Sequence, residues 1–273
     1  MKYLIFGRKE GWLAQKFIKF LENSEISDVD ITDLRAIRKE LDEKKPEIVI
    51  NAAGITGRPN IDWCEEHKAE TIAGNVIGPL NILQACEERK IYWVHLGSGC
   101  IFQGNKGWKE DDKATPPSFY SWSKYWADQI LKNFSVLIVR LRLPIDTEPN
   151  PRNLIDKLLK YSEVIDSKNS VTIIPDLLYA TKELMEKRRI GIYHVVNPGN
   201  IKPSEIMKLY KKIVNPEHQF KVISEKDLYK KGLVKAVRSN CVLNTDKLQK
   251  EGIILKPIKE RIIEVLKEYK QNL

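Results

Sequence analysis

The chain has 273 residues, 42% of them hydrophobic and 30% charged, and Lys+Arg exceed Asp+Glu by 46 − 37 = +9. Such a composition excludes a disordered tail and a small disulfide-stapled module. No apolar run nears the ~20 residues that span a bilayer, and MKYLIFGRKE meets Gly7 and charge too early for a secretory leader. Residues 201–273 hold 17 Lys+Arg against 9 Asp+Glu, so +8 of the +9 lies in the last quarter. Without zinc-finger spacing or an aromatic–glycine RNA signature, that surplus reads as a solvated lysine-rich face, with no nucleic-acid or membrane partner. Four cysteines without paired spacing (Cys64, Cys86, Cys100 and Cys241) point to a reduced, cytoplasmic setting.

Along the chain, Tyr3–Phe6 predicts a strand that stops at Gly7, and Gly11–Leu21 places apolar residues at helical spacing. Asp33–Lys45 predicts a polar amphipathic helix that ends before Pro46. Ile48–Asn51 and Trp93–Leu96 predict buried strands, with one long helix over about 63–89 between them. Val136–Arg140 and Ile192–Val196 predict two more strands. Short, wholly apolar strands alternating with helices imply right-handed crossovers and a parallel sheet covered on both faces, a doubly wound α/β fold. The pattern loosens at Pro144, Pro149 and Pro151. Residues 1–143 are therefore expected to form one domain, and 144–273 mainly a second lobe, with the strand near 192–196 returning to the first. Open α/β sheets bind ligands beyond the carboxyl ends of their strands, so the residues after Phe6, Asn51 and Leu96 are the candidates.

After the first strand the chain reads Gly7-Arg8-Lys9-Glu10-Gly11-Trp12-Leu13-Ala14. A glycine turn feeding a helix lets backbone N–H groups approach a pyrophosphate. The spacing is GxxxGxxA rather than GxGxxG, and the segment Glu25–Asp33 shows no clear ribose-binding acid at a strand end. Arg8 and Lys9 beside the turn would suit the 2′-phosphate of NADP. Tyr120 and Lys124 form the one YxxxK of the chain. On a helix they share a face, where an ammonium beside a phenol favours the phenolate. Ser98 follows the third apolar run, where its hydroxyl could bond the substrate oxygen that the tyrosine protonates. Glycine turn, strand-end serine and downstream YxxxK together read as a nicotinamide-dependent short-chain dehydrogenase/reductase.

Asn51–His67 (NAAGITGRPNIDWCEEH), Gly99–Phe102, Tyr120–Lys124, Asn150–Lys157, Asn197–Gly199 and Arg238–Asn240 recur in order. Over nearly the full chain they resemble the bifunctional 3,5-epimerase/4-reductases of UDP-rhamnose synthesis, in the dTDP-4-dehydrorhamnose reductase branch of the extended short-chain dehydrogenases. The resemblance implies a Rossmann-like NAD(P)-binding domain with a smaller C-terminal substrate-binding lobe. It implies Ser98, Tyr120 and Lys124 as the reductase triad, with Ser98 standing where the family usually has Thr, and Cys100 and Lys157 as the epimerase acid/base pair. Cofactor contacts fall on Gly7, Arg8, Lys9, Gly11, Trp12, Leu13, Asp30, Ile31, Ala52, Ala53, Gly54, Tyr120, Lys124 and Pro144. Substrate contacts fall on Thr56, Arg58, Asn60, Ser98, Cys100, Asn153 and Arg238.

The implied activity is NADPH-dependent 4-reduction, with NADH as the alternative cofactor, joined to 3,5-epimerisation of a UDP- or dTDP-linked 4-keto-6-deoxyhexose. No carboxylate–histidine cluster suggests a metal, and a homodimer is compatible with the family. Two other readings stand beside it, a 4-reductase alone and a non-catalytic NADP-binding subunit. His67, His95, Cys64 and Cys86 read as structural.

Overall fold

Six strands form one parallel sheet: β1 (Tyr3–Phe6), β2 (Ser24–Ser27), β3 (Ile48–Asn51), β4 (Tyr92–Ser98), β5 (Val136–Leu141) and β6 (Gly191–His194), in the order 2-1-3-4-5-6. The computed structural model describes residues 1–273. Successive residues of each strand enter opposite layers. Leu4, Phe6, Val49, Trp93 and Ile138 join one core, and Tyr3, Ile5, Ile48, Ile50 and Val94 the other. Five long helices cover the sheet: α1 (Trp12–Phe20), α2 (Leu34–Lys44), α3 (Gly78–Glu87), α4 (Phe119–Leu131) and α5 (Ile174–Glu186). α1 and α5 pack on one face, α2, α3 and α4 on the other. Burial on both faces is why runs such as YLIF and IVIN have no polar alternation. Phe6 is 0% exposed, and its truncation to Ala should cost about 3–5 kcal/mol.

The strand order reverses between β1 and β3, which opens a crevice at their carboxyl ends. Phe6 lies beside Asn51, and Asn51 beside His95, so three strand exits converge there. Beyond the sheet, α6 (Pro203–Ile213) and α7 (Ile258–Gln271) pack with the short helix Leu154–Leu158 around a third core that includes Ile145, Ile155, Met207, Ile262 and Leu266. In α7 the buried residues Ile258, Ile262, Val265, Leu266 and Tyr269 fall on one helical stripe.

Two elements differ from the sequence reading. The single helix expected over about 63–89 is four consecutive pieces: Asp62–Glu66, Lys68–Ile72, a π-helical turn at Ala73–Ile77, and α3. His67 leaves helical geometry (φ −120, ψ 58) and stacks on Trp63 with ring centroids 3.9 Å apart. The π turn carries Asn75, whose side chain is taken by a loop described below. The second difference is β2, which contains no apolar run. It is an edge strand paired only to β1, and three of its four residues are half-exposed.

Candidate active site

The glycine turn is shaped by close approach. A Cβ on Gly7 would lie 3.1 Å from the Ala14 Cβ, and one on Gly11 would lie 2.8 Å from the Arg8 carbonyl oxygen. Gly11 is the N-cap of α1 and offers no side-chain cap, so the first-turn N–H groups of this nine-residue helix face the crevice unclaimed by a capping oxygen. Trp12 and Ile31 put their side chains in the two cores, Ile31 against Gly78, and Leu13 packs at the edge of the first core. Trp12 and Ile31 are buried there and Leu13 is half-buried, so these side chains serve the packing around the turn. Ala52, Ala53 and Gly54 continue from β3 and are held by Asn75: its Oδ1 accepts the Ile55 N–H (2.8 Å), and its Nδ2 donates to the Ile55 carbonyl (2.8 Å) and to Ser123 Oγ (3.0 Å).

Basic side chains gather at the mouth of this turn. Burial lowers the Arg152 pKa, and the neighbouring Arg58 and Arg8 lower it further. Arg152 also donates to Thr56 Oγ1 (3.1 Å). Lys9 is engaged differently, since the carboxylate of Asp28, immediately after β2, takes it as a partner. The acid that the sequence did not reveal at the end of the second strand is therefore Asp28. Asp30 instead closes a local turn, its Oδ1 accepting the Thr32 N–H (2.9 Å) and hydroxyl (2.8 Å).

Across the crevice, Ser98 ends β4 and accepts the Cys100 N–H at 3.2 Å. Ser118 caps α4 through the Ser121 N–H, and one turn further in, Tyr120 and Lys124 share a face, 9% and 5% exposed. Burial pushes the Tyr120 phenol well up, as does nearby Cys100, while a hydrogen bond with Ser98 and the Arg142 guanidinium pull it down. Lys124 donates to the Leu96 carbonyl (3.0 Å) and meets His95 Nε2 at 3.4 Å. Burial lowers its own pKa. The Lys124 ammonium, expected to lower the phenol, is turned to the β4 backbone, and the Arg142 guanidinium is a cation that favours the phenolate. His95 is fully buried and held neutral by burial and by Lys124. Its Nδ1 lies 3.1 Å from Asn51 Nδ2, an amide oriented by the Ala53 N–H that donates to Asn51 Oδ1 (3.0 Å).

Cys100 sits half-buried at the centre of this group, and its charge state bears on Tyr120, Lys124 and Lys157 alike. Lys157 lies on Leu154–Leu158 and opens to solvent from the cleft wall. Surrounding atoms and Arg152 lower its pKa, and Cys100 opposes them. Arg142, which the sequence reading passed over, is 1% exposed and donates to the Cys100 sulfur at 3.1 Å. Two arginines leaving an otherwise apolar strand, Arg140 and Arg142, were the visible sign.

Asn153 does not face the cleft. It is 0% exposed, its Oδ1 caps the Ile155 N–H (3.2 Å), and its Nδ2 donates to the Asp146 and Glu148 carbonyls (3.1 Å each). No donor remains for a sugar nucleotide, so its side chain holds the 146–155 loop. Arg238 is likewise engaged: it forks onto Asp62 (2.7 and 2.9 Å) and reaches Asn60 Oδ1 (3.3 Å). Pro144 begins a two-residue strand paired with Thr172–Ile173 and is half-buried.

A family model described as the RmlD substrate binding domain matches residues 1–271. The chain is 36% identical to a bifunctional dTDP-4-dehydrorhamnose 3,5-epimerase/dTDP-4-dehydrorhamnose reductase of Arabidopsis thaliana, over 97% of this chain and 92% of that one. It is 35% identical to a longer trifunctional UDP-glucose 4,6-dehydratase/3,5-epimerase/reductase of the same plant, of which it spans 41%. The crystal structure of the L780 UDP-rhamnose synthase from Acanthamoeba polyphaga mimivirus superposes with a TM-score of 0.92 at 32% identity, over 98% of this chain and 99% of that one. A Bacillus anthracis dTDP-4-dehydrorhamnose reductase solved with NADP shares the fold (TM-score 0.86, 22% identity, 100% of both chains).

Proposed function

The chain belongs to the RmlD substrate-binding-domain family, and on that premise we propose that it is an oxidoreductase of the 4-dehydrorhamnose reductase type that also inverts C3 and C5 of its substrate. The substrate is a nucleoside-diphosphate 4-keto-6-deoxyhexose and the product the NDP-L-rhamnose. One observation supports the reading: Cys100 lies two residues beyond Ser98 and acts electrostatically on both Tyr120 and Lys157, so donors for oxygen and for carbon are near enough to influence one another.

The residues present fit a nicotinamide dinucleotide, since a Cβ at Gly7 or Gly11 would fill the cradle before α1. Gly7, Gly11 and the first-turn N–H groups of α1 would hold its pyrophosphate, with Arg8, Arg58 and Arg152 at the mouth. NADPH is the preferred form on the strength of Arg8, and Asp28 is the observation that favours NADH. When bound, the cofactor supplies the hydride for C4. Tyr120, kept protonated by burial, donates its phenolic proton to the C4 oxygen, which Ser98 orients. Lys124, anchored on Leu96, fixes the helix face that presents Tyr120.

For epimerisation the C4 carbonyl acidifies the C–H bonds at C3 and C5. Cys100 and Lys157 remove a proton from one face and return one to the other, through an enolate whose charge rests on the C4 oxygen near Tyr120 and Ser98. A reductase without this step is the second reading, and the openness of Lys157 to solvent is what favours it. The test is deuterium wash-in from D₂O with the 4-keto-6-deoxyglucose nucleotide and no NADPH. The protein should exchange C3 and C5, while Cys100→Ser should not, yet should still oxidise NADPH with pre-inverted substrate. No exchange in the unmodified protein would leave a 4-reductase alone.

A further inference from the structure

Arg142 leaves β5 directly beneath the catalytic group, with 1% of its surface exposed. Its Nη1 donates to the Cys100 sulfur at 3.1 Å, and its Nη2 donates to the Asn169 side-chain oxygen and the Ser239 carbonyl. Nε is buried without any partner. These acceptors are two neutral oxygens and a sulfur; none is a carboxylate. A guanidinium cannot shed its proton in a protein, and a buried cation lacking an anion is strongly unfavourable. By contrast Arg140, two residues earlier and equally buried, has Asp128 at 2.8 Å. Among the atoms that Arg142 hydrogen-bonds, the one able to take up negative charge is the Cys100 sulfur.

We propose that Arg142 is a positioning residue that holds Cys100 as its thiolate, so that the carbon base is ready before substrate arrives. Its use in epimerisation rests on the preceding functional reading; the ion pair itself does not. The other groups facing the sulfur do not compete. Tyr120 from α4 and Cys241 from the strand Cys241–Leu243 are kept neutral by burial, and the Cys241 thiol donates to the Gly99 carbonyl (3.3 Å). Lys124 from α4 and Lys157 from Leu154–Leu158 are bases whose protonated forms would favour a thiolate. Ser98, on the same turn, accepts the Cys100 N–H and carries no charge.

The experiment is the pH profile of Cys100 alkylation by iodoacetamide on the full chain without ligand, with the labelled peptide located by mass spectrometry. Cys64, Cys86 and Cys241 are buried, which leaves Cys100 as the thiol open to reagent. An ordinary thiol of pKa about 8.5 gains roughly twentyfold in rate from pH 7 to 9. The unmodified protein should gain less than about twofold, Arg142→Met should regain the ordinary climb, and Arg142→Lys should lie between. A steep profile in the unmodified protein would overturn the proposal, even if Arg142→Met fails to fold. So would a flat profile that Arg142→Met leaves flat, or one that Lys157→Met abolishes in its place. A flat, Arg142-dependent profile without deuterium exchange keeps the ion pair and removes the epimerase reading. Exchange with a steep profile does the reverse.

Discussion

Lys9 gives both its backbone N–H (2.9 Å) and its ammonium (3.0 Å) to the carboxylate of Asp28. A carboxylate at the end of the second strand is where this kind of sheet reads a ribose hydroxyl, so one of the two cations beside the glycine turn is already matched. Arg8 is then the residue left to read a 2′-phosphate. Arg8→Ala should lower the preference for NADPH over NADH by one to two decades, from the ~1.5–3 kcal/mol of a charge-assisted hydrogen bond. Asp28→Asn should move the ratio the other way. The comparison is kcat/KM with each cofactor, and equal losses in Arg8→Ala would assign that residue to the shared pyrophosphate.

Tyr120→Phe keeps the ring in its buried seat and removes the donated proton. Hydride transfer to authentic 4-keto sugar should fall by roughly 10²–10⁴ in single-turnover measurements, with NADPH binding little changed. A near-normal rate would show that another group protonates the C4 oxygen.

His95 and His194 are both 0% exposed and neutral in the fold. Burial, aided by Arg140, lowers His194 to about 3, and burial with Lys124 lowers His95. The unfolded chain binds protons at these rings below about pH 6.5, whereas the native chain does not. Stability should therefore be fully present above that pH and fall as the pH drops toward the native values, by up to ~1.4 kcal/mol per pH unit for each ring. Urea midpoints at pH 7, 5.5 and 4.5 should show this, and His194→Gln should flatten the slope. An unchanged slope in that variant would place the acid sensitivity elsewhere.

Asp62 accepts the Arg238 fork and the Ala236 N–H (2.8 Å), with both side chains of the pair 19% exposed. Burial alone would raise the Asp62 pKa, but Arg238 and Ala236 outweigh it and hold the carboxyl below its ordinary value. The contribution is present above about pH 4 and is lost as pH falls through the lowered native pKa. Arg238→Ala should cost about 1–3 kcal/mol by leaving that carboxylate unmatched and should raise KM for the sugar nucleotide more than it lowers kcat. A large kcat loss at unchanged KM would instead put Arg238 at the reacting atoms.

The parts legible in the sequence were those set by neighbours in the chain. β1, β3, β4 and β5 announce themselves because both faces are buried, and the glycine turn and Tyr120/Lys124 are spaced along single helices. β2 escaped because an edge strand of sequence SEIS has one partner and no apolar run. The broken helix escaped because the His67–Trp63 stack and the Asn75 contacts to Ile55 compete with periodicity through side chains. The Asn150–Lys157 motif points Asn153 at substrate, but carbonyls five and seven residues away hold it. Arg142 shows in the sequence only as a charge closing an apolar strand, and its role does not, since its partner Cys100 lies 42 residues back.

The Asp62–Arg238 pair spans 176 residues of chain, and that distance has a consequence for heredity. Charge reversal or loss at either end strands the other in a half-buried site, so drift in one segment must wait for drift in its distant counterpart. The DWC segment around Asp62 and the RSN segment around Arg238 should behave across descendants as one inherited unit. A hybrid gene that takes the first from one lineage and the second from a lineage lacking the match would encode a cleft with its far wall untied.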